Sequence, residues 1–461
     1  MRLLRILLLA GAVLAWPLAA TSHAQAPQSW LIAFRDDASR LIRAATADDF
    51  AWRRLAELTD TFGARLAGSD NLTRAIAWAA DTMKADGLEN VRTERVMVPR
   101  WVRGRESAEI VDPPRHQVAM LGLGGSPATP PAGIEGEVLV VTSFDDLHTR
   151  SAEARGRIVL FNVPYTNYSE TVTYRTGAAR AAQRYGAIGV LVRSVGPMGL
   201  RTTHTGSASE TTGPAALIPA ASIAAEDANR IARLEGRGRR VRLHLAMESH
   251  FEGEAESANV VGEIRGREKP DEIVLLGGHL DSWDVGTGAS DDGAGSIVTW
   301  EAARLMKKLG LRPRRTVRLV LWTNEENGLR GAAAYAERYA TAAANHVFAL
   351  EADSGVFSPA ALGFSGSLAA RAALMPVVPL IAPLGFTDIG PGGGGPDIGP
   401  IAQAGNVPTM AYLGDASRYF VIHHSPADTV ERVPPEDVSR AAAAISVITY
   451  AVAEMPERLP K

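Results

Sequence analysis

Histidines and carboxylates recur in this chain at the ends of apolar runs, which is where an open α/β sheet gathers its ligands. Gly-Gly-His279-Leu-Asp281-Ser-Trp-Asp284 follows the apolar run 273–276, and Ser-Asp291-Asp292-Gly opens the helical segment 293–309. The run 317–322 ends in Thr-Asn324-Glu325-Glu326, and 347–350 ends in Glu351-Ala-Asp353-Ser-Gly. After 409–413 comes His423-His424-Ser-Pro-Ala-Asp428-Thr429. Singly, each has a plainer explanation. His279 would be a satisfied core histidine, Asp291 a helix cap, and Glu325-Glu326 a solvated turn. Successive strands each delivering a His or a carboxylate to one sheet edge outweigh those explanations together.

His279, Asp291, Glu326, Asp353 and one histidine of the 423–424 pair supply imidazoles and carboxylates for two divalent ions, provided one carboxylate bridges. Each ion then keeps a position for water, the open arrangement of hydrolytic metal pairs. Adjacent acids at a strand end point in different directions, so one of Glu325 and Glu326 can ligate while the other acts as general base. The chain has no cysteine, which excludes thiolate sites, disulfide scaffolds and cysteine nucleophiles. Imidazole with carboxylate favours zinc over magnesium, with cobalt or manganese as substitutes.

The elements that must position these residues are those of an ordinary globular protein. Of 461 residues, 46% are hydrophobic and 21% charged, and the net charge of −3 gives no field for holding nucleic acid. Arg2 and Arg5, an apolar stretch over 6–20 broken by Pro17, and small residues up to Ala24 read as a signal peptide at 1–24. The stretch is too short to span a membrane, so the mature chain is expected to be exported, periplasmic or secreted, without a membrane span. Helices are expected over 36–60 and 72–85 and a strand over 91–98, within an N-terminal part at 25–114. Residues 115–250 read as an inserted β-rich module, with short β runs and helical segments at 176–185 and 224–234, and no catalytic signature of its own. From 251 to 461, apolar strands alternate with helices, including 329–344 and a terminal helix over 441–454, as in a sheet covered on both faces. The glycine-rich 390–398 is expected to form a loop near the site, in which Asp397 either caps a turn or meets a substrate amine.

Gly-His-Leu-Asp-Ser, Asp-Asp-Gly, Asn-Glu-Glu, Glu-Ala-Asp-Ser-Gly and His-Ser-Pro-Ala-Asp-Thr together resemble the di-zinc exopeptidases of the aminopeptidase Y type. Nearly the whole mature chain is similar to one carboxypeptidase branch of them. The resemblance implies an α/β fold, an αβα sandwich peptidase domain interrupted by a protease-associated-type module. It implies two zinc ions per chain, one on His279 and Asp353, the other on Glu326 and His424, with Asp291 bridging and joined to Asp292 by a cis peptide. Glu325 would be the general base, and Asp281 would orient His279. His424 is chosen over His423 because the family histidine is followed four positions on by a carboxylate, here Asp428. His423 stands where many relatives carry a tyrosine, and both a hydrogen bond to the tetrahedral intermediate and a structural role are open to it.

The reaction implied is hydrolysis of short peptides, dipeptides above all, with a carboxypeptidase or dipeptidase set ahead of an aminopeptidase. A module walling one end of the crevice, and a homodimer partner helping to close it, would exclude long substrates. An aminopeptidase acting on longer peptides, a single-zinc glutaminyl cyclase and a non-catalytic binding protein on the same fold are the alternatives. The cyclase would not need the full ligand set, and the binding protein would have lost part of it.

Overall fold

The computed structural model describes residues 29–112, 114–209 and 218–461. The expected signal peptide lies outside the described residues. Two eight-stranded sheets organise the described residues. The larger runs in the order Glu89–Val102, His250–Ile264, Arg315–Trp322, Lys269–His279, His346–Glu351, Thr409–Leu413, Ala361–Ser365 and Gly390–Pro391. Its centre is parallel: Lys269–His279 lies between Arg315–Trp322 and His346–Glu351. Alternation along these strands sends side chains to opposite faces. Val274, Leu276, Leu319 and Leu321 pack on one side with residues of the helices Ser29–Ala45, Phe50–Phe62, Ala294–Lys308 and Pro435–Glu454. Ile273, Leu275, Val320 and Trp322 pack on the other with Tyr335 and Ile401, from Arg330–Arg338 and Gly399–Gly405. Covered on both faces, the sheet is the middle layer of an αβα sandwich.

The expected helix over 36–60 is two helices, Ser29–Ala45 and Phe50–Phe62. Asp48 breaks it: its carboxylate accepts a hydrogen bond from the Phe50 amide at 2.9 Å, a local bond that competes with the helical ladder. The terminal helix starts earlier than 441, at Pro435, whose fixed φ suits a first helical turn. The segment 329–344 is helical over Arg330–Arg338 and then tightens to a 3₁₀ turn over Ala340–Asn345.

The second sheet takes in Glu106–Ile110, ahead of residue 115, and ends its chain course at Arg242–Met247. It hangs from the first on a two-stranded ribbon, in which Glu89–Val102 pairs antiparallel with His250–Ile264 as far as Val102 opposite His250. The helix expected over 176–185 is longer, Tyr168–Arg184, and Asn167 caps it by accepting from the Glu170 amide at 3.0 Å. Thr171, Val172 and Thr173 disguise it, because β-branched residues suggest a strand. At the root of the ribbon, Arg103 binds both carboxylate oxygens of Asp284, at 2.8 and 2.6 Å, and so fastens the module's entry to the segment after His279.

A second arginine fixes that segment from the other side. Arg65 is wholly buried, and its guanidinium donates to the carbonyls of Gly63, Leu280, Thr287 and Gly288. Burial lowers its pKa to about 10, although Asp428, Asp281 and Asp292 pull the other way. Replacing Arg65 with Leu leaves those carbonyls buried without donors. Urea denaturation should show a loss of about 3–5 kcal/mol, and a loss below about 1 kcal/mol would contradict the anchoring role.

Candidate metal centre

His279 ends its strand with the imidazole fully buried. Its Nδ1–H donates to the Asp281 carbonyl at 2.9 Å, which turns the Nε2 lone pair toward Asp291 Oδ1 at 3.4 Å and Asp353 Oδ1 at 3.5 Å. The resemblance gives Asp281 the task of orienting this ring. The contact Asp281 makes with the ring is through its main chain; its carboxylate is 3.8 Å from Nδ1 and is engaged elsewhere. That carboxylate accepts from the amides of Glu325 and Glu326 at 3.2 and 3.4 Å and aims their turn.

Asp291 and Asp292 are joined by a cis peptide, and their carboxylates diverge. Asp292 is consumed internally, accepting from His279 N at 2.9 Å and Gly295 N at 3.1 Å. Asp291 faces the site from a backbone held by Asp428, whose carboxylate accepts from Ser290 N at 2.7 Å and Asp291 N at 3.1 Å. Its Oδ1 looks to His279, while its Oδ2 is 3.1 Å from His424 Nε2 and 3.5 Å from His423 Nε2. Glu326 Oε2 stands 3.0 Å from His424 Nε2. Glu325 Oε2 stands 3.9 Å from His279 Nε2, with its side chain a fifth exposed to the cavity above. His423 stacks on His424 at 3.6 Å between ring centres.

These residues fit divalent cations. Buried His279 Nε2 and Asp291 Oδ2 have no hydrogen-bond partner. Among the described residues, ligand atoms converge in three overlapping sets: His279, Asp291 and Glu326; Asp291, His423 and His424; and His279, Asp292 and Asp353. Burial and mutual repulsion push Glu325, Glu326 and Asp292 well above the ordinary carboxylate range and Asp353 upward. Burial pushes Asp291 up too, but His423, His279 and His424 outweigh it and hold it well below. Cations placed among them would cancel the repulsion.

Sequence reasoning missed the module's share of this site. Its segment over 203–209 grips the ligand-bearing loops. Thr205 N donates to the His424 carbonyl at 2.8 Å, and Ser207 Oγ donates to the Glu326 carbonyl at 3.1 Å. His204, held neutral with a pKa of about 4 by burial, donates from Nδ1 to the His423 carbonyl. The Thr205 carbonyl lies 3.4 Å from His424 Nδ1, the partner that a ligating imidazole needs on its far nitrogen. A cavity of about 330 Å³ above the centre is lined by Glu325, Glu326, Asp353 and His423, and also by the module's Tyr168 and Arg175. Asp397 neither caps a turn nor meets this cavity; it is fully buried with its carboxylate unpartnered, and Pro396 lines the wall instead.

Residues 259–449 match the model of peptidase family M28. Carboxypeptidase Q of Homo sapiens is 46% identical over 415 residues, covering 90% of this chain and 88% of the relative. The chain belongs to peptidase family M28. Carboxypeptidase Q of Mus musculus is 44% identical over 431 residues, covering 93% of this chain and 91% of the relative. The solved structure of a peptidase M28 precursor from Shewanella amazonensis SB2B is 32% identical, with a TM-score of 0.89 over 93% of this chain and 99% of that one. An aminopeptidase from Aneurinibacillus sp. strain AM-1, 18% identical with a TM-score of 0.65 over 92% of this chain and 97% of that one, shares the fold. This M28 chain is thus a metallopeptidase of the exopeptidase kind. No helix among its described residues is long and apolar enough to cross a membrane.

The electrostatics carry a stability consequence. Without metal, the raised carboxylates keep protons that the unfolded chain releases near about pH 4; Asp428 is pushed up to about 7 and Glu351 to about 8, in both cases first by burial. The folded state therefore binds more protons than the unfolded one between about pH 4 and 8, and stability falls as pH rises through that window. His204, His346, His423 and His424, which burial holds below the ordinary imidazole range, oppose the trend up to about pH 6.5 but are outnumbered by the raised carboxylates. The melting temperature of chelator-treated protein should fall below that of the metal-loaded form by a gap that widens from about pH 5 to 8. A gap independent of pH would contradict this reading.

Proposed function

We propose that the chain is an exported di-zinc exopeptidase that removes the C-terminal residue of short peptides, dipeptides above all. The observation that carries the reading is the position of Asp291, whose two carboxylate oxygens face imidazoles from separate chain segments, His279 and His424. In this reading Asp291 is the ligand shared by two ions, His279 and Asp353 complete one set, and Glu326 and His424 complete the other. Zinc, when bound there, acidifies a water and polarises the scissile carbonyl. The likeness to carboxypeptidase Q relatives along most of the chain supports the carboxypeptidase direction.

Glu325 is the base in this reading. It lies beside the ligands, with its carboxylate open to the cavity and its amide fixed by Asp281. Burial raises its proton affinity well above the ordinary range, the direction that suits a group taking a proton from water and handing it to the leaving amine. His423, stacked on His424 and lining the cavity, is placed to donate a hydrogen bond to the substrate carbonyl as it becomes tetrahedral. A cavity of about 330 Å³ suits a short peptide and excludes a folded chain.

Replacing Glu325 with Gln should lower kcat by about 10²–10⁴-fold while elemental analysis still finds the full metal complement. Near-native turnover at full metal content would remove Glu325 from the base role. Unblocked dipeptides should be cleaved efficiently, whereas unfolded casein should not be cut internally. Internal cleavage products seen by mass spectrometry would overturn the exopeptidase reading.

A further inference from the structure

The two ligand pairs are held by different parts of the chain. His279 ends the strand Lys269–His279 with its ring turned by the Asp281 carbonyl, and Asp353 follows the strand His346–Glu351, so the larger domain's own sheet places this pair. Glu326 and His424 are gripped from the module. Ser207 Oγ donates to the Glu326 carbonyl at 3.1 Å, the Thr205 amide to the His424 carbonyl at 2.8 Å, and His204 Nδ1 to the His423 carbonyl at 2.6 Å. Trp283 seats the same pair from below. Its amide donates to Glu326 Oε1 at 3.1 Å, and its indole meets the His424 ring at 5.7 Å between centres. The indole then closes on the module's Gly124, where a Cβ would lie 2.1 Å from the ring.

The grip bears on a strained backbone. His424 has a φ of 56°, in the left-handed region that favours glycine. A residue with a side chain stays there only where its surroundings fix it. Here the consecutive carbonyls of His423 and His424 are tied to the consecutive module residues His204 and Thr205. That fixes the peptide between the two histidines, and with it the aim of His424 Nε2 at Asp291 and Glu326. His204 is itself seated on the module's sheet. Its amide donates to Ser194 Oγ at 3.1 Å, and its carbonyl accepts from Ser222 Oγ. The ring is 1% exposed, and its Nε2 is buried against Gly196 without a partner. An idle buried nitrogen costs free energy, so what the imidazole contributes is the one N–H it presents to the His423 carbonyl.

We propose that His204 is a positioning residue for one of the two ions: through the His423 carbonyl it holds His424 on target, so that the ion on Glu326 and His424 depends on the module while the ion on His279 and Asp353 does not. The proposal rests on the two-ion reading above and adds the residue that makes the two ions unequal. Zinc-loaded full-length protein is equilibrated with graded concentrations of a competing chelator, and zinc per chain is read by elemental analysis. His204→Leu should weaken one ion about 10–100-fold and leave the other unchanged. His204→Asn should restore the lost affinity to within about threefold, because its amide nitrogen takes the place of Nδ1. Zinc-edge diffraction from the partly stripped His204→Leu protein should find the remaining ion on His279 and Asp353. If His204→Leu does not fold, Ser207→Ala decides the matter, and it should weaken the same single ion about tenfold. Equal weakening of both ions, or of neither, would overturn the proposal, as would a remaining ion on Glu326 and His424. His204→Asn as weak as His204→Leu would reduce the residue to packing and overturn it too. A wild type that holds a single zinc would sink the two-ion reading itself, and this assignment with it.

Discussion

Everything in the larger domain converges on holding one carboxylate, Asp291, between imidazoles that approach it from different parts of the chain. His279 comes from the end of a central strand and His424 from the loop after the last parallel strand. A buried carboxylate crowded by Glu326, Asp353 and Glu325 is tolerable only where hydrogen bonds fix it and cations neutralise the group. The fixing is visible at each step. Asp428 holds the amides of Ser290 and Asp291, Asp292 ties the turn back to His279, and buried Arg65 gathers the carbonyls of the intervening segment. Removing one of these supports shifts the others, because they share a single chain segment from Gly277 to Gly295.

The inserted module is part of that site and not only a wall beside it. The ribbon that carries it ends at Arg103, which grips Asp284, and its 203–209 segment bonds to the main chain of His423, His424 and Glu326. His424, whose far nitrogen faces a module carbonyl, would as a metal ligand depend on the module for its orientation. The same module brings Tyr168 and Arg175 over the cavity, so the element that steadies the ligands also shapes what can approach them.

The chemistry of the larger domain was legible in the sequence because strand ends mark themselves, as continuous apolar runs followed at once by His or acid. Buried parallel strands cannot hide such residues among polar neighbours. The module's contribution was not legible for a physical reason. Thr205 acts through its backbone, which has no sequence signature, and Arg175 sits in a helix whose early Thr171, Val172 and Thr173 imitate a strand. Tyr168 lies within Asn-Tyr-Ser, a tripeptide that reads as a glycosylation signal, although here its Asn caps a helix. The break between the first two helices was written in Asp48 but masked by apolar residues in helical register on both sides. Asp397 reads as a turn cap or a partner for a substrate amine, yet lies buried beside Glu351, a placement that depends on how the glycine-rich loop folds over the sheet.

The central claim is that one carboxylate serves two ions. Diffraction from crystals of the zinc-loaded protein, with data collected on both sides of the zinc absorption edge, tests it most directly. The account predicts two anomalous peaks roughly 3.5–4 Å apart, with one oxygen of Asp291 facing each, His279 and Asp353 on one peak and Glu326 and His424 on the other. A single peak, or two peaks of which only one touches Asp291, would contradict it.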